Sequence, residues 1–335
     1  MILVTGATGL VGAHLLFKLV QNGKSVRALY RSEDKKQHVQ KMFFNLFGNR
    51  SNKLLEKIEW QRATINDIPA LSAAFIGITE VYHCAAIISF NPALDKQLRK
   101  VNIEGTANIV NLSILNKVRK ICYVSSIAAL GEPKGKSKIN EASEWNPESN
   151  HSIYAITKYG GEMEVWRGTQ EGLRAIIVNP GIIIGPGFFN SGSGFLFKKI
   201  YKGLRFYTPG ITGYVSVHDV TNVMFELMES QHTNERYVLV SENLSFKHIF
   251  TLIANSLHVK PPTTPVAPFA MKLAAQLQWL GYKLFGISPT IYNASVQSAF
   301  STSLYENTKV KKVIKFEFTP IKKAVEETAK AFLKG

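Results

Sequence analysis

"VTGATGLVGAHLL", residues 4–16, decides the fold. The short apolar run Ile2–Thr5 enters it as a strand. Apolar positions Leu15, Leu16, Leu19 and Val20 leave it on one face of a helix over Gly12–Asn22. Between strand and helix, Gly6, Gly9 and Gly12 have the spacing TGxxGxxG. Glycines placed this way let the chain turn sharply, let backbone N–H groups approach a pyrophosphate, and let helix and strand pack closely. The pyrophosphate then rests on the positive N-terminus of the helix. The turn made by Gly6, Thr8, Gly9, Leu10, Val11 and Gly12 is therefore the expected seat of a dinucleotide, and it is silent on the reaction.

The end of the second strand, Val26–Tyr30, separates two cofactors. An acidic residue there would bind the ribose hydroxyls of NAD, whereas an arginine would pair with the 2′-phosphate of NADP. The chain reads "VRALYRSEDKK" (26–36), with Arg31 in the turn, Lys35 and Lys36 behind it, and Glu33 and Asp34 opening the next helix. NADP is the preferred cofactor and NAD the alternative.

Strand patterns recur at Ile58–Ala63, Glu80–Ala86 and Lys120–Ser125, each followed by a helical pattern, of which Ile103–Leu115 is the clearest. Repeated strand–helix units predict an α/β protein with a doubly wound parallel sheet, the Rossmann fold. Lys35–Phe47 reads as a helix and "FGNRSN" (47–52) as a turn. "RAIIVNPGIIIG" (174–185) reads as one strand. Helices are expected at 194–203, 219–230, 246–257, 268–285 and 320–333, with "VKPPTTPVAP" (259–268) as a stiff connector. The expected division is a dinucleotide-binding domain at 1–180, with a strand contributed from about 212–240. A smaller, helix-rich substrate-binding part at 181–335 is interleaved with it.

The 335 residues carry 45% hydrophobic and 19% charged side chains, enough for a sizeable core. No apolar run reaches the roughly 18–20 residues of a membrane span. The opening MILVTGATG reads as strand and turn, leaving no room for a signal peptide. Cys84 and Cys122 lie in apolar, strand-like runs, which reads as buried free thiols in a reducing cytoplasm, with a disulfide as the other reading. The net charge of +16 favours anionic partners such as a phosphorylated cofactor, and no nucleic-acid-binding motif accompanies it. His83, His151 and His218 have no metal-ligand spacing, so no metal is expected.

"SIYAITKYGGEMEVW" (152–166) puts Tyr154 and Lys158 on one helix face, a turn apart. "ICYVSSIAALG" (121–131) puts Ser125 and Ser126 at a strand tip, and the tips of a parallel sheet share one crevice. A serine, a tyrosine and a lysine beside a dinucleotide suit hydride transfer at a carbonyl or alcohol. The phenol moves the proton, the serine holds the same oxygen, and the lysine lowers the phenol's pKa and holds the nicotinamide ribose. With a pKa near 10, about one phenol in 1,000 is ionised at pH 7, and a shift of ~3 units requires about 4 kcal/mol.

These residues resemble the extended short-chain dehydrogenase/reductase family, which includes the NAD-dependent epimerases and dehydratases. The likeness rests on TGATGLVG (5–12), "ATINDI" (63–68), "VYHCAA" (81–86), "VNIEGT" (101–106), "YVSSIAALG" (123–131), YAITK (154–158), "NPGIIIGPG" (179–187) and "YVSVHDV" (214–220). The resemblance implies that Asp67 and Ile68 face the adenine and that Ala85 and Ala86 line the cofactor path. It further implies that Asn179 and Pro180 pass near the nicotinamide. Ser126 fits the catalytic position better than Ser125, and Asn102 looks like the family's structural asparagine. The dihydroflavonol reductase and 3β-hydroxysteroid dehydrogenase-like branch is the most similar. The nucleotide-sugar branch carries an asparagine and an arginine where this chain has Ile182 and Thr212. Related proteins often form homodimers through the helix bearing Tyr154 and its neighbour.

Two further stretches stand out. "FLFKKIYKGLRFYTPG" (195–210) reads as an amphipathic helix, with a substrate lid or an acidic-group site as the other reading. "FAMKLAAQLQWLGYKLFG" (269–286) places Phe269, Leu273, Leu277, Leu280 and Leu284 at helical spacing, which reads as core or as the wall of an apolar pocket. Its basic, aromatic character also permits transient membrane-surface contact, without stable insertion. The leading functional reading is an NAD(P)-dependent oxidoreductase interconverting a ketone and a secondary alcohol on a largely apolar small molecule. The alternatives are an NAD-dependent nucleotide-sugar epimerase or dehydratase, and a non-catalytic NAD(P)-binding regulator.

Overall fold

The computed structural model describes residues 1–133, 138–285 and 292–334. β1 (Ile2–Thr5), α1 (Leu10–Gln21) and β2 (Val26–Tyr30) form the first unit. α2 (Glu33–Phe47), α3 (Ser51–Leu55), β3 (Ile58–Arg62), α4 (Ile68–Ala74) and β4 (Glu80–His83) follow. One helical run then passes through α5 (Asp95–Arg99), a π-turn at Lys100–Glu104 and α6 (Gly105–Leu115) to β5 (Lys120–Val124). Next come α7 (Ile153–Gln170), β6 (Ala175–Pro180), β7 (Ile182–Ile184), α8 (Gly194–Tyr201), β8 (Phe206–Tyr207), β9 (Ile211–Ser216), α9 (Val217–Glu229) and β10 (Glu235–Leu239). The chain ends with β11 (Glu242–Ser245), α10 (Phe246–Ser256), β12 (Thr264–Pro265), α11 (Pro268–Phe285), α12 (Asn293–Phe300), α13 (Thr308–Ile314) and α14 (Ile321–Lys334).

Seven strands pair in the order β3-β2-β1-β4-β5-β6-β10, every neighbour parallel. This is the doubly wound arrangement that the sequence pattern predicts. The interior strands are covered on both faces, so they read as unbroken apolar runs: Leu3, Val4, Ile121, Cys122, Ile176 and Ile177 are all buried. Leu15, Leu16 and Leu19 of α1 and Val220 and Met224 of α9 fill one side. Leu71, Ile109, Val110 and Val165, from α4, α6 and α7, fill the other. A separate core of Phe197, Ile200, Tyr214, Ile249, Ile253 and Val325 joins α8, α10 and α14 to the small sheet β11-β9-β7.

Four expectations change. "NPGIIIG" does not extend one strand. β6 ends at Pro180 in the large sheet, and after Gly181 the chain enters β7, which pairs with β9. The stretch 47–52 is not a simple turn: a 3₁₀ turn at Gly48–Arg50 leads into helical Ser51–Leu55. The helix expected from Ile103 begins at Asp95 and widens into the π-turn around Asn102. Phe269, Leu273 and Leu277 are not core residues, because α11 leaves them exposed; the side chains of Leu280 and Leu284 lie outside the described residues. No described helix is long and apolar enough to cross a membrane.

Candidate active site

The glycine turn is built by close approach. Gly6 has φ +64°, and a Cβ there would lie 2.6 Å from the Ala85 nitrogen. A Cβ on Gly12 would strike the Gly6 carbonyl. Gly9, exposed, caps α1 without any side-chain hydrogen bond, so the first amides of the helix face the crevice. Ala85 is tied to the same corner by its N–H, which donates to Thr5 Oγ1 at 3.3 Å. Asp67 and Ile68 are exposed just beyond β3, where the Asp67 carboxylate caps α4 by accepting from Ala70 N at 3.2 Å.

At the tip of β5 the two serines separate. Ser125 is buried and donates to the Glu162 carboxylate at 2.7 Å. Ser126 opens a short 3₁₀ turn, its Oγ accepting from Ala128 N at 3.1 Å, and stands beside the Tyr154 phenol. Ser152 starts α7 by accepting from Ala155 N, which sets Tyr154 in the first turn and Lys158 one turn later. The structure therefore brings Ser126, Tyr154 and Lys158 to one place. The Phe90 ring stands edge-on to Tyr154, 6.0 Å between centroids.

The electrostatics differ from the expectation for Lys158. Burial pushes the Tyr154 phenol above its ordinary value, and the neighbouring Ser126 hydroxyl resists this. Burial pulls the Lys158 ammonium down to about 7, against the favourable charge of Glu162. An amine that titrates there is neutral before such a phenol ionises, so in this state Lys158 does not lower the phenol's pKa. Lys158 Nζ donates to Tyr123 OH and to the Val124 carbonyl, both at 2.8 Å, which leaves one of the ammonium's three hydrogens without an acceptor among the described residues.

Lys158 is thereby joined to a buried polar chain. The Tyr123 hydroxyl stands beside Thr106, and His83 bridges Thr106 and Thr5 at 3.0 and 2.6 Å. Burial, reinforced by Lys158, pushes His83 down to about 3. Asn102, projecting from the π-turn, bonds both backbone groups of Ile87 and the Thr157 hydroxyl. The Cys84 thiol is pushed up to about 12 by burial and offers no thiolate.

Sequence reasoning missed Glu162. Its buried carboxylate accepts from Ser125, from Asn179 Nδ2 at 2.9 Å and from Arg236 Nη1 at 3.0 Å. Arg236 also binds the carbonyls of Glu141 and Ser143, in the segment leading to α7. The available signal was spacing: Glu162 lies four after Lys158, on the same helix face. Asn179 also donates to the Ser126 carbonyl at 3.0 Å, while its Oδ1 is buried without a partner among the described residues.

With this geometry in view, the comparisons with known proteins are decisive. The family model described as NAD dependent epimerase/dehydratase family matches residues 2–239. The chain belongs to that family. It is 27% identical over 281 residues to sterol demethylase protein B of Methylococcus capsulatus, covering 82% of this chain and 80% of the relative. It is 25% identical over 339 residues to a putative dihydroflavonol 4-reductase of Synechocystis, covering 98% and 93%. The crystal structure of gox2253 superposes with a TM-score of 0.80 at 26% identity, covering 100% of this chain and 98% of that one. Membership of the NAD dependent epimerase/dehydratase family makes the protein an NAD(P)-dependent enzyme.

The residues present fit such a cofactor. The cradle at Gly6 and Gly12, the uncapped start of α1, the spare hydrogen of Lys158 and the orphaned Asn179 Oδ1 all fall at the carboxyl edge of the sheet.

Proposed function

We propose that the protein reduces a ketone to a secondary alcohol, or runs the reverse reaction, on a largely apolar small molecule, with NADP as its preferred cofactor. The observation that carries this reading is the Tyr154 phenol, held protonated by burial beside Ser126 and one helical turn from Lys158. Bound NADPH supplies the hydride. Ser126 orients the substrate oxygen by hydrogen bonding. Tyr154 delivers its proton to that oxygen as charge develops there. Lys158, when protonated, lowers the energy of the resulting phenolate and contributes its spare N–H to the cofactor ribose. Gly6, Thr8, Gly9, Leu10, Val11 and Gly12 hold the pyrophosphate, Asp67 and Ile68 the adenine side, and Ala85, Ala86, Asn179 and Pro180 the nicotinamide side.

The preference for NADP rests on Arg31, which is exposed at the end of β2 and forms no ion pair among the described residues. The nearest carboxylate in sequence that could serve NAD, Glu33, is paired with Lys36 at 2.9 Å. An apolar substrate is supported by Phe90 against Tyr154, by exposed Ile88 beside Ala86, and by uncharged Ile182 and Thr212 on adjacent strands β7 and β9. Two relatives are named for a sterol and a dihydroflavonol, which agrees with it. The free thiols Cys84 and Cys122 suit a reducing, cytoplasmic setting.

The test is a turnover screen of ketones and sterol-like alcohols with NADPH and NADH, run with the Tyr154→Phe variant alongside. Turnover should fall by about 10²- to 10⁴-fold in the variant while cofactor binding persists. Full turnover by Tyr154→Phe removes the proposal.

A further inference from the structure

Helix α11 carries a face that the rest of the described chain leaves bare. Phe269, Leu273 and Leu277 follow at i, i+4 and i+8, so they form one stripe. They are 74%, 53% and 60% exposed, while Ala275 on the opposite side is buried. At 100° per residue, Lys272 and Lys283 run along one edge of the stripe. Lys283 Nζ sits 4.3 Å from the centre of the exposed Trp279 ring. A contiguous apolar face of this kind marks an interaction surface.

Charge decides what covers it. No Asp or Glu occurs between Glu171 and Asp219, nor between Glu242 and Glu306. These two acid-free segments pack on each other. β12 pairs with β8, Thr264 N donates to the Arg205 carbonyl, and Lys247 Nζ lies 5.1 Å from the Tyr207 ring. Exposed Lys202, Arg205, Lys247 and Lys260 lie on these same two segments, which together with Lys272 and Lys283 carry cations and no anion. A second copy docking here would set the same cations against themselves.

We propose that α11 seats the protein on an anionic lipid bilayer. The helix lies in the plane of the surface, with Phe269, Leu273 and Leu277 at the acyl boundary and Lys272 and Lys283 among the phosphates. This docking is independent of the reaction assigned above. It brings the enzyme to the phase where an apolar molecule would be dissolved.

The full chain is mixed with vesicles of equal phosphatidylglycerol and phosphatidylcholine, or of phosphatidylcholine alone, and pelleted. The protein should pellet with the anionic vesicles and be released by added salt. Lys272→Gln/Lys283→Gln should weaken binding by about five-fold per charge. Leu273→Glu/Leu277→Glu should abolish it. Thermal unfolding checks that each variant is folded, and Phe269→Ser/Leu277→Ser replaces the glutamate variant if that one is not. Wild type left in the supernatant, equal binding to neutral vesicles, or undiminished binding by the folded apolar-face variant would each overturn the proposal. So would a wild-type dimer, seen by sedimentation, that the same variant dissociates.

Discussion

Glu162→Gln is the substitution whose cost the structure sets most directly. The carboxylate is fully buried, and among the described residues every hydrogen-bond partner is a donor: Ser125, Asn179, Arg236 and the Trp166 indole. A glutamine must turn its own N–H₂ toward one of these donors, and it leaves Arg236, only 18% exposed, without its counter-charge. Breaking a buried pair by removing one partner costs about 3–5 kcal/mol. Because Arg236 keeps two carbonyl acceptors, the lower end applies. With an unfolding entropy of roughly 2.1 cal/mol/K per residue, 335 residues give about 0.7 kcal/mol/K. The loss of ~3 kcal/mol therefore lowers Tm by about 4 °C. Differential scanning calorimetry measures it. Activity should fall further than stability, because Asn179 and Ser125 hold the tip of β5 that presents Ser126. Adding Arg236→Met to Glu162→Gln should cost less than the sum of the two single changes. A Tm change under about one degree, or strict additivity, would refute the view that this pair organises the site.

Two further outcomes follow from the charged groups. Arg31→Ala should weaken NADPH binding by about ten-fold or more and leave NADH binding unchanged, as read by fluorescence titration; equal loss for both cofactors would remove Arg31 from the 2′-phosphate. His83 and His14 are buried neutral, at about 3 and about 4 against 6.5 when unfolded. Their stability is present above pH 6.5 and is lost as pH falls, about 2 kcal/mol for each between pH 7 and pH 5. The raised carboxyls Glu141 and Asp219 act in the opposite direction, so the readout is the slope of Tm against pH in His14→Gln compared with wild type. That slope should be shallower by about 3 °C over this interval, and identical slopes would contradict the burial argument.

The order of elements was legible because periodicity and glycine spacing are local properties. The strand–turn–helix of residues 2–21 and the helix carrying Tyr154 and Lys158 fall where the sequence places them. Several other features arise from contacts between segments distant in the chain. The break after Pro180 exists because β7 pairs with β9, some thirty residues on. The partner of Lys158 is Tyr123, whose role nothing in "ICYVSS" announces. Choosing Ser126 over Ser125 rests on motif spacing, and the tertiary contact that commits the Ser125 hydroxyl to Glu162 has no local signal. The exposed stripe of α11 looked like core because helical spacing reports that a face is apolar, not what lies against it.

The inverted order of the two titrations bears on which direction the site serves. Tyr154, above its ordinary value, is an acid ready to donate at neutral pH. Donation leaves a phenolate in a desolvated place, and Lys158 offers a positive charge one helical turn away. At ~6 Å and an effective dielectric constant of ~20 the pair is worth on the order of 3 kcal/mol, or about 100-fold in rate. That benefit exists only while Lys158 is protonated, which holds below about pH 7. Ketone reduction should therefore be fastest on the acid side of neutrality and decline as pH rises through about 7, well before the phenol itself titrates. Lys158→Met should be slow and lack this decline, with a profile set by Tyr154 alone. Measuring kcat against pH for both proteins, at saturating cofactor, tests the argument. A wild-type profile flat from about pH 6 to about pH 9 would mean that Lys158 stabilises no charge on Tyr154 during turnover.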